Sequence, residues 1–325
     1  MTNHNFIIKS SPHFRDRDSV PKIMYTVIIG LAPAGLASVY FFRFRALALL
    51  LSCGAACLAT EALFFLVRKK SMHSLLDGSA IITGLLLAMT LPPSLPVSMA
   101  VIGSVAAIGI GKQVFGGLGH NIFNPALVGR AFLATAFPAA MTTWIPPVMV
   151  TVNTATYATP LGDLKFQSAL AKGTLVPLKS LFWGNVGGCL GETSAIALLL
   201  GGLFLLFRRT IDWRIPLGIL LSLTVFTGVF WLASPDKYVS PGFHLLAGGL
   251  LLGAFFMATD MVTSPLAPMA TWIYALGIGF LIGLIRLFGG FPEGVMYSIL
   301  LMNACVPLLN IYIRPRILGQ VRKKK

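Results

Sequence analysis

Nine long stretches of this chain are apolar and carry no Asp, Glu, Lys or Arg: 23–42, 46–60, 79–111, 131–162, 193–207, 215–235, 238–259, 261–285 and 294–313. This constrains the fold more than any motif does. A helix of about 20 apolar residues spans the hydrocarbon core of a bilayer. In that medium only a helix or a closed barrel pairs its own backbone N–H and C=O groups. The run 79–111 is too long for one span, and Pro92-Pro93 and Pro96 divide it in two. The run 131–162 completes a helix that is expected to start near Asn121 and to carry Arg130. The reading is an all-α polytopic membrane protein of about ten transmembrane helices. Composition agrees: 11% of the residues are charged, where a soluble domain has about 25%. The first twenty residues are polar, so no cleavable signal peptide is expected.

The net charge of +15 fits loop residues that set topology, and no nucleic-acid-binding motif competes with that reading. With the N-terminus inside and ten crossings, 18 of the 25 Lys and Arg fall inside, among them the Arg68-Lys69-Lys70 run, Lys112, Arg130, Arg208, Arg209 and Arg214. Seven fall outside: Arg43, Arg45, Lys165, Lys172, Lys179, Lys237 and Arg286. Both termini are therefore expected in the cytoplasm. The expected division is an N-terminal half over 1–137 with helices 1–5, an extracytoplasmic loop over 138–191, and a C-terminal half over 192–325 with helices 6–10.

A weak repeat supports two halves. "GLLLAMTLPPSLP" (84–96) resembles "GLLLGAFFMATDMVTSP" (249–265), each an apolar run broken before a longer span. Five helices per half would make the halves inverted, an arrangement that transporters with discontinuous helices use.

Ionisable residues within or beside the apolar runs are Glu61, Asp77, Lys112, Arg130, Glu192 and Asp260. A charge at the bilayer centre costs roughly 2.5–3.5 kcal/mol on insertion scales, so such groups face protein or water. Helix capping and an ion path are both open for them. Asp260 stands out because it separates two apolar runs, whereas Asp77 is placed to cap the helix that follows it. His244 reads as an interior histidine, and the five histidines show no metal-ligand spacing. Cys53 and Cys57 share a helix face and read as packing residues. The glycine-rich stretch "GIGKQVFGGLGHN" (109–121) lacks phosphate-loop spacing.

Four stretches are similar to one family: "SPHFRDRDSVPKIMYTVIIGLAPAGLASVYFF" (11–42), "DGSAIITGLLLAMTLPP" (77–93), "GKQVFGGLGHNIFNPALVGRAFL" (111–133) and "FMATDMVTSP" (256–265). They resemble the D subunits of the Rnf complex, an ion-translocating ferredoxin:NAD oxidoreductase. The B subunits of the sodium-pumping NADH:quinone reductase are close relatives. The resemblance implies a subunit of a redox-driven translocase in the cell inner membrane, with other membrane and peripheral subunits as partners. Sodium or proton transport would be coupled to electron flow, and this chain would not bind NAD itself.

It also gives the polar stretch "NTATYATPLG" (153–162) a meaning. In that family a threonine after the fifth helix carries FMN, bound covalently through its phosphate, within a pattern near D-x-x-[ST]-G-A-[ST]. Here Thr156, Ala158 and Thr159 match and Thr159 falls on the acceptor position, while Asn153 and Tyr157 depart from the acid and the glycine. A flavin transferase is implied, as is a second, non-covalent flavin such as riboflavin. The ion path is expected through Asp260, Asp77 and Glu61. The alternative on the residues alone is a solute or ion transporter with no redox cofactor.

Overall fold

The computed structural model describes residues 19–69, 71–147, 158–166, 170 and 173–314. Among them the regular structure is entirely helical. The chain is an all-α polytopic membrane protein. Among the described residues five helices are long and apolar enough to cross a bilayer: α1 (Val20–Phe42), α2 (Phe44–Val67), α10 (Arg214–Ala233), α13 (Pro268–Phe288) and α14 (Val295–Tyr312). Their outward faces are apolar too, with Leu36, Leu51, Val229 and Leu301 exposed, as lipid-facing helices require.

Between them lie shorter apolar helices. These are α3 (Ser79–Met89), α4 (Val97–Ile108, continued by a π-turn over Gly109–Gln113), α5 (Pro125–Ala136) and α9 (Ala195–Phe207). Small helices α6 (Pro138–Met141), α7 (Pro160–Phe166) and α8 (Leu178–Trp183) connect α5 to α9. One further apolar segment is broken: α11 (Pro241–Leu246), then α12 (Leu250–Leu252) running into a π-turn over Gly253–Met257.

The packing order repeats along the chain. In the first set α2 packs on α3 and α4, and α4 on α5; in the second α10 packs on α11 and α13, and α13 on α14. Two further contacts, α1 on α9 and α5 on α14, bring the two sets together. Small residues permit the close approaches, since lipid gives helices no hydrophobic reason to associate. A Cβ on Gly84 would lie 2.7 Å from the Cys53 carbonyl oxygen, between α3 and α2, and one on Gly279 would meet the Ile219 carbonyl between α13 and α10.

Three details differ from the sequence expectation. The fifth helix starts at Pro125 rather than near Asn121, because the Asn124 side chain caps it and Pro125 occupies its first position. The segment expected as one helix over 238–259 is interrupted at Ala247–Gly249, where Gly248 has φ +72°. Arg130, counted among the inside charges, is instead paired within the protein.

Candidate functional site

Helices that stop inside a membrane leave carbonyls without partners. The structure supplies donors at each stop. Where α3 ends, Gly191 N–H donates to Met89 O at 2.7 Å and Leu190 N–H to Leu91 O at 3.1 Å. Where the second π-turn ends, Asn124 Nδ2 donates to Met257 O at 3.1 Å. At the break between α11 and α12, Arg286 donates from Nη1 to His244 O at 2.5 Å and from Nη2 to Ala247 O at 3.0 Å. On the far side of the break, Gly249 N–H donates to Glu293 Oε1 at 2.6 Å. Arg286 is thus a buried structural donor, not the exposed loop charge that its position suggests. Lys165, also counted as a loop charge, reaches from α7 to the carbonyls of Ile285, Arg286 and Phe291 at 3.0–3.2 Å. Partial burial lowers its ammonium from the ordinary lysine value.

Two groups of polar residues result, one around Lys112 and one around Thr159. The first surrounds Lys112, held on the π-turn of α4. Its Nζ lies 2.7 Å from Glu61 Oε1 and donates to Ser79 Oγ at 2.6 Å. Ser79 Oγ in turn donates to Asp77 Oδ1 at 2.6 Å, and Ser79 N–H donates to the same oxygen at 2.8 Å. Gln113 Nε2 also donates to Glu61 Oε1, at 2.9 Å. Glu61, Lys112, Ser79 and Asp77 therefore form one chain of contacts across α2, α4 and α3.

That chain borders a cavity with about 80 Å³ of water-sized space, lined among others by Ser79, Lys112, Asn121, Asn124 and Asp260. Asp260 sits just past the second π-turn. Its Oδ1 accepts from Val262 N–H at 3.3 Å and its Oδ2 from Thr263 Oγ1 at 3.2 Å. Glu61 touches Lys112 directly and Asp77 is linked to it through Ser79, while Asp260 lines the cavity that Lys112 also lines, although all are distant in sequence. Asp77 also fills the capping place expected of it. Sequence reasoning gave no role to Asn121 and Asn124; the Asn-Pro pair at 124–125 was the available signal for a cap.

The second group surrounds Thr159. Ala158 and Thr159 lead into α7, and Thr159 Oγ1 accepts from Gly162 N–H at 3.1 Å, so this hydroxyl caps α7. Asn153 and Thr156 lie outside the described residues. Thr159 is half-buried beside a narrow cleft, with room for a single water, whose walls include Gly188, Glu192, Gly248 and Glu293. Arg130 bridges both acids: Nη1 is 3.5 Å from Glu192 Oε1 and Nη2 is 3.1 Å from Glu293 Oε2. Glu293 was missed from sequence because it lies in a connecting turn that looks exposed. Leu161 of α7 lines this cleft and also a larger hollow of about 450 Å³, together with Leu164, Lys165, Tyr238, Arg286 and Phe288. His244 lines the hollow as well, buried as expected. Among the described residues no cluster of His, Cys, Asp and Glu suits a metal ion, and Cys53, Cys57 and Cys189 are buried free thiols.

Comparison with known sequences agrees with this architecture. The profile of the "NQR2, RnfD, RnfE family" matches residues 7–319. The chain is 47% identical over 315 residues to the D subunit of the proton-translocating ferredoxin:NAD(+) oxidoreductase complex of Clostridium ljungdahlii, covering 95% of each chain. It is 45% identical over 329 residues to the D subunit of the Na(+)-translocating ferredoxin:NAD(+) oxidoreductase complex of Acetobacterium woodii, covering 100% of this chain and 99% of that one. It is 41% identical over 335 residues to the D subunit of the ion-translocating oxidoreductase complex of Stutzerimonas stutzeri, covering 95% of each. With its profile matched over nearly the whole length, the chain belongs to the NQR2, RnfD, RnfE family.

Proposed function

We propose that this chain is the membrane subunit of an ion-translocating ferredoxin:NAD oxidoreductase complex, and that it carries FMN esterified through its phosphate to Thr159. Family membership and the names of the relatives support the ion-translocating and redox parts. They also weigh against a plain solute carrier, which would use similar broken helices.

One local observation carries the flavin assignment. Thr159 begins α7, and Leu161, Leu164 and Lys165 of the same helix form a wall of the 450 Å³ hollow that also holds Tyr238 and Phe288. Small-molecule sites occupy roughly 300–1,000 Å³. Aromatic side chains offer the ring a surface to pack on. Lys165, Lys237 and Arg286 put positive charge beside the phosphate and beside a reduced, anionic ring. A phosphoester replaces only the hydroxyl hydrogen of Thr159, so Oγ1 keeps a lone pair for Gly162 N–H. When bound, the flavin supplies one- and two-electron exchange. The chain fixes its depth and orientation.

In the other group, Asp260 takes the transported cation in the cavity beside Lys112, with Glu61 and Asp77 completing the path. The space beside Lys112 has room for a partly hydrated small cation. A second, non-covalent flavin such as riboflavin belongs to the same proposal. The relatives are named for protons in one case and sodium in another, and carboxylates serve either ion. The Lys112 cavity lies on the cytoplasmic side of the inner membrane and Thr159 on the opposite side, where a separate flavin transferase reaches it. Other membrane and peripheral subunits carry electrons to and from it.

The test is mass spectrometry of the peptide spanning 153–165 from cells that hold the transferase. The expected result is an added FMN mass, less water, on Thr159. Thr159→Val should abolish it, Thr159→Ser should retain part of it, and Thr156→Val should leave it in place. An unmodified peptide would defeat the flavin assignment.

A further inference from the structure

Asp260 follows the end of a π-turn, where no regular helix continues to hold it. Two side chains hold the preceding backbone: Tyr274, whose hydroxyl donates to Ala258 O at 3.3 Å, and Asn124. Asn124 Nδ2 donates to Met257 O at 3.1 Å, and the Asp260 N–H points to that same carbonyl at 3.4 Å. The other atom of the amide, Oδ1, accepts from Ala126 N–H at 3.0 Å and Leu127 N–H at 3.4 Å, which caps α5. Two backbone donors on one side and a carbonyl on the other settle which amide atom is oxygen. Asn124 is 3% exposed, and it lines the same cavity as Asp260.

A cap alone needs only an acceptor, and Ser or Asp serves about as well as Asn there. The donor half of Asn124 is therefore free for a second task, and it goes to the turn that presents Asp260. Asn124 is itself held in place. Further along α5, Arg130 pairs with Glu293, whose other oxygen takes the N–H of Gly249. Helix α5 thus holds the second piece of the broken segment near both its ends, through Glu293 at Gly249 and directly at Met257.

We propose that Asn124 is a positioning residue for ion translocation: through the Met257 carbonyl it sets where the Asp260 carboxylate stands in the cavity. This rests on the assignment of Asp260 to the ion path made above. Without the Asn124 donor the carboxylate keeps its contacts to Val262 N–H and Thr263 Oγ1, yet the turn that carries all three shifts in the cavity and the cation is bound more weakly.

Asn124→Ser and Asn124→Asp both keep a capping acceptor and both remove the amide N–H that reaches Met257 O. Each is assayed in the complete complex in membrane vesicles, against Asp260→Asn. The readout is the cation concentration that half-saturates ferredoxin:NAD electron transfer, by sodium titration or, where sodium has no effect, by pH profile. Covalent flavin is followed by in-gel fluorescence. The expected result for both Asn124 variants is a rise in that concentration of about fivefold or more, the size of one lost hydrogen bond. Maximal rate and flavin content should stay near those of the unaltered complex. A fall in maximal rate that tracks lost protein, with unchanged cation dependence, would mean a structural cap only and overturn the proposal. Should Asp260→Asn shift the cation dependence while both Asn124 variants do not, the positioning role falls and the ion-path assignment stands. No shift in Asp260→Asn removes both.

Discussion

Lys112 enters the membrane interior on a π-turn, closed by Val114 N–H to Gly109 O at 3.0 Å, a wide helical turn often found at functional sites. Its side chain and that of Glu61 are each 2% exposed and 2.7 Å apart. Desolvating either charge costs several kcal/mol, and their attraction offsets this only while both are present. Lys112→Met should therefore destabilise the protein by roughly 3–5 kcal/mol, as should Glu61→Ala. The double variant Lys112→Met/Glu61→Gln should recover much of the loss, because no charge is then stranded. Melting temperatures of the purified proteins check this. If the double variant melts as low as either single variant, the pair is not what the two residues contribute. Glu61 and Lys112 could both be picked out in the sequence as charges beside apolar runs. Their pairing could not, since 51 residues separate them and only the packing of α2 on α4 brings them together.

The broken segment of α11 and α12 shows the same limit at the scale of the element. The stop between α3 and α4 was legible, because prolines at 92, 93 and 96 cannot continue a helix. The break at Ala247–Gly249 has no such signal. A glycine in an apolar run is ordinary, and the helix opens there because Arg286 and Glu293, some 40 residues on, replace its lost hydrogen bonds. Gly248 makes the geometry possible. At φ +72° a side chain is strained by roughly 1–2 kcal/mol. A Cβ there would also press on Glu293 Oε1 and come within 2.8 Å of Leu161 Cδ1. Gly248→Ala should thus lower the melting temperature clearly and disturb the cleft beside Thr159. Gly228→Ala in α10 is the control. Its Cβ would meet only Pro241, at an ordinary 3.6 Å, so it should be neutral or slightly stabilising. Equal melting of the two variants would show that the break does not depend on a left-handed residue.

For the whole molecule the question is which end faces the cytoplasm. Charge counting divides the loops into two sets, and the structure sorts them the same way in space. The Lys112 cavity gathers Ile23, Ser79, Leu118, Thr210 and Asp260, from five chain segments that the count puts inside. The hollow beside α7 gathers Lys165, Lys237, Tyr238, Phe288 and Pro292, all from segments that it puts outside. Neither set mixes, which is the arrangement that the ten-crossing count expects. Absolute sidedness then rests on the positive residues, since basic loops stay in the cytoplasm. Arg208 and Lys237 are exposed and suit a direct measurement. Of the native cysteines only Cys305 is not buried, so a Cys305→Ser background is sufficient. In that background an impermeant maleimide should label Lys237→Cys in intact cells. Arg208→Cys should be labelled only after the membrane is opened or in inverted vesicles. The opposite pattern would invert the protein. Thr159 would then face the cytoplasm and Asp260 the outside.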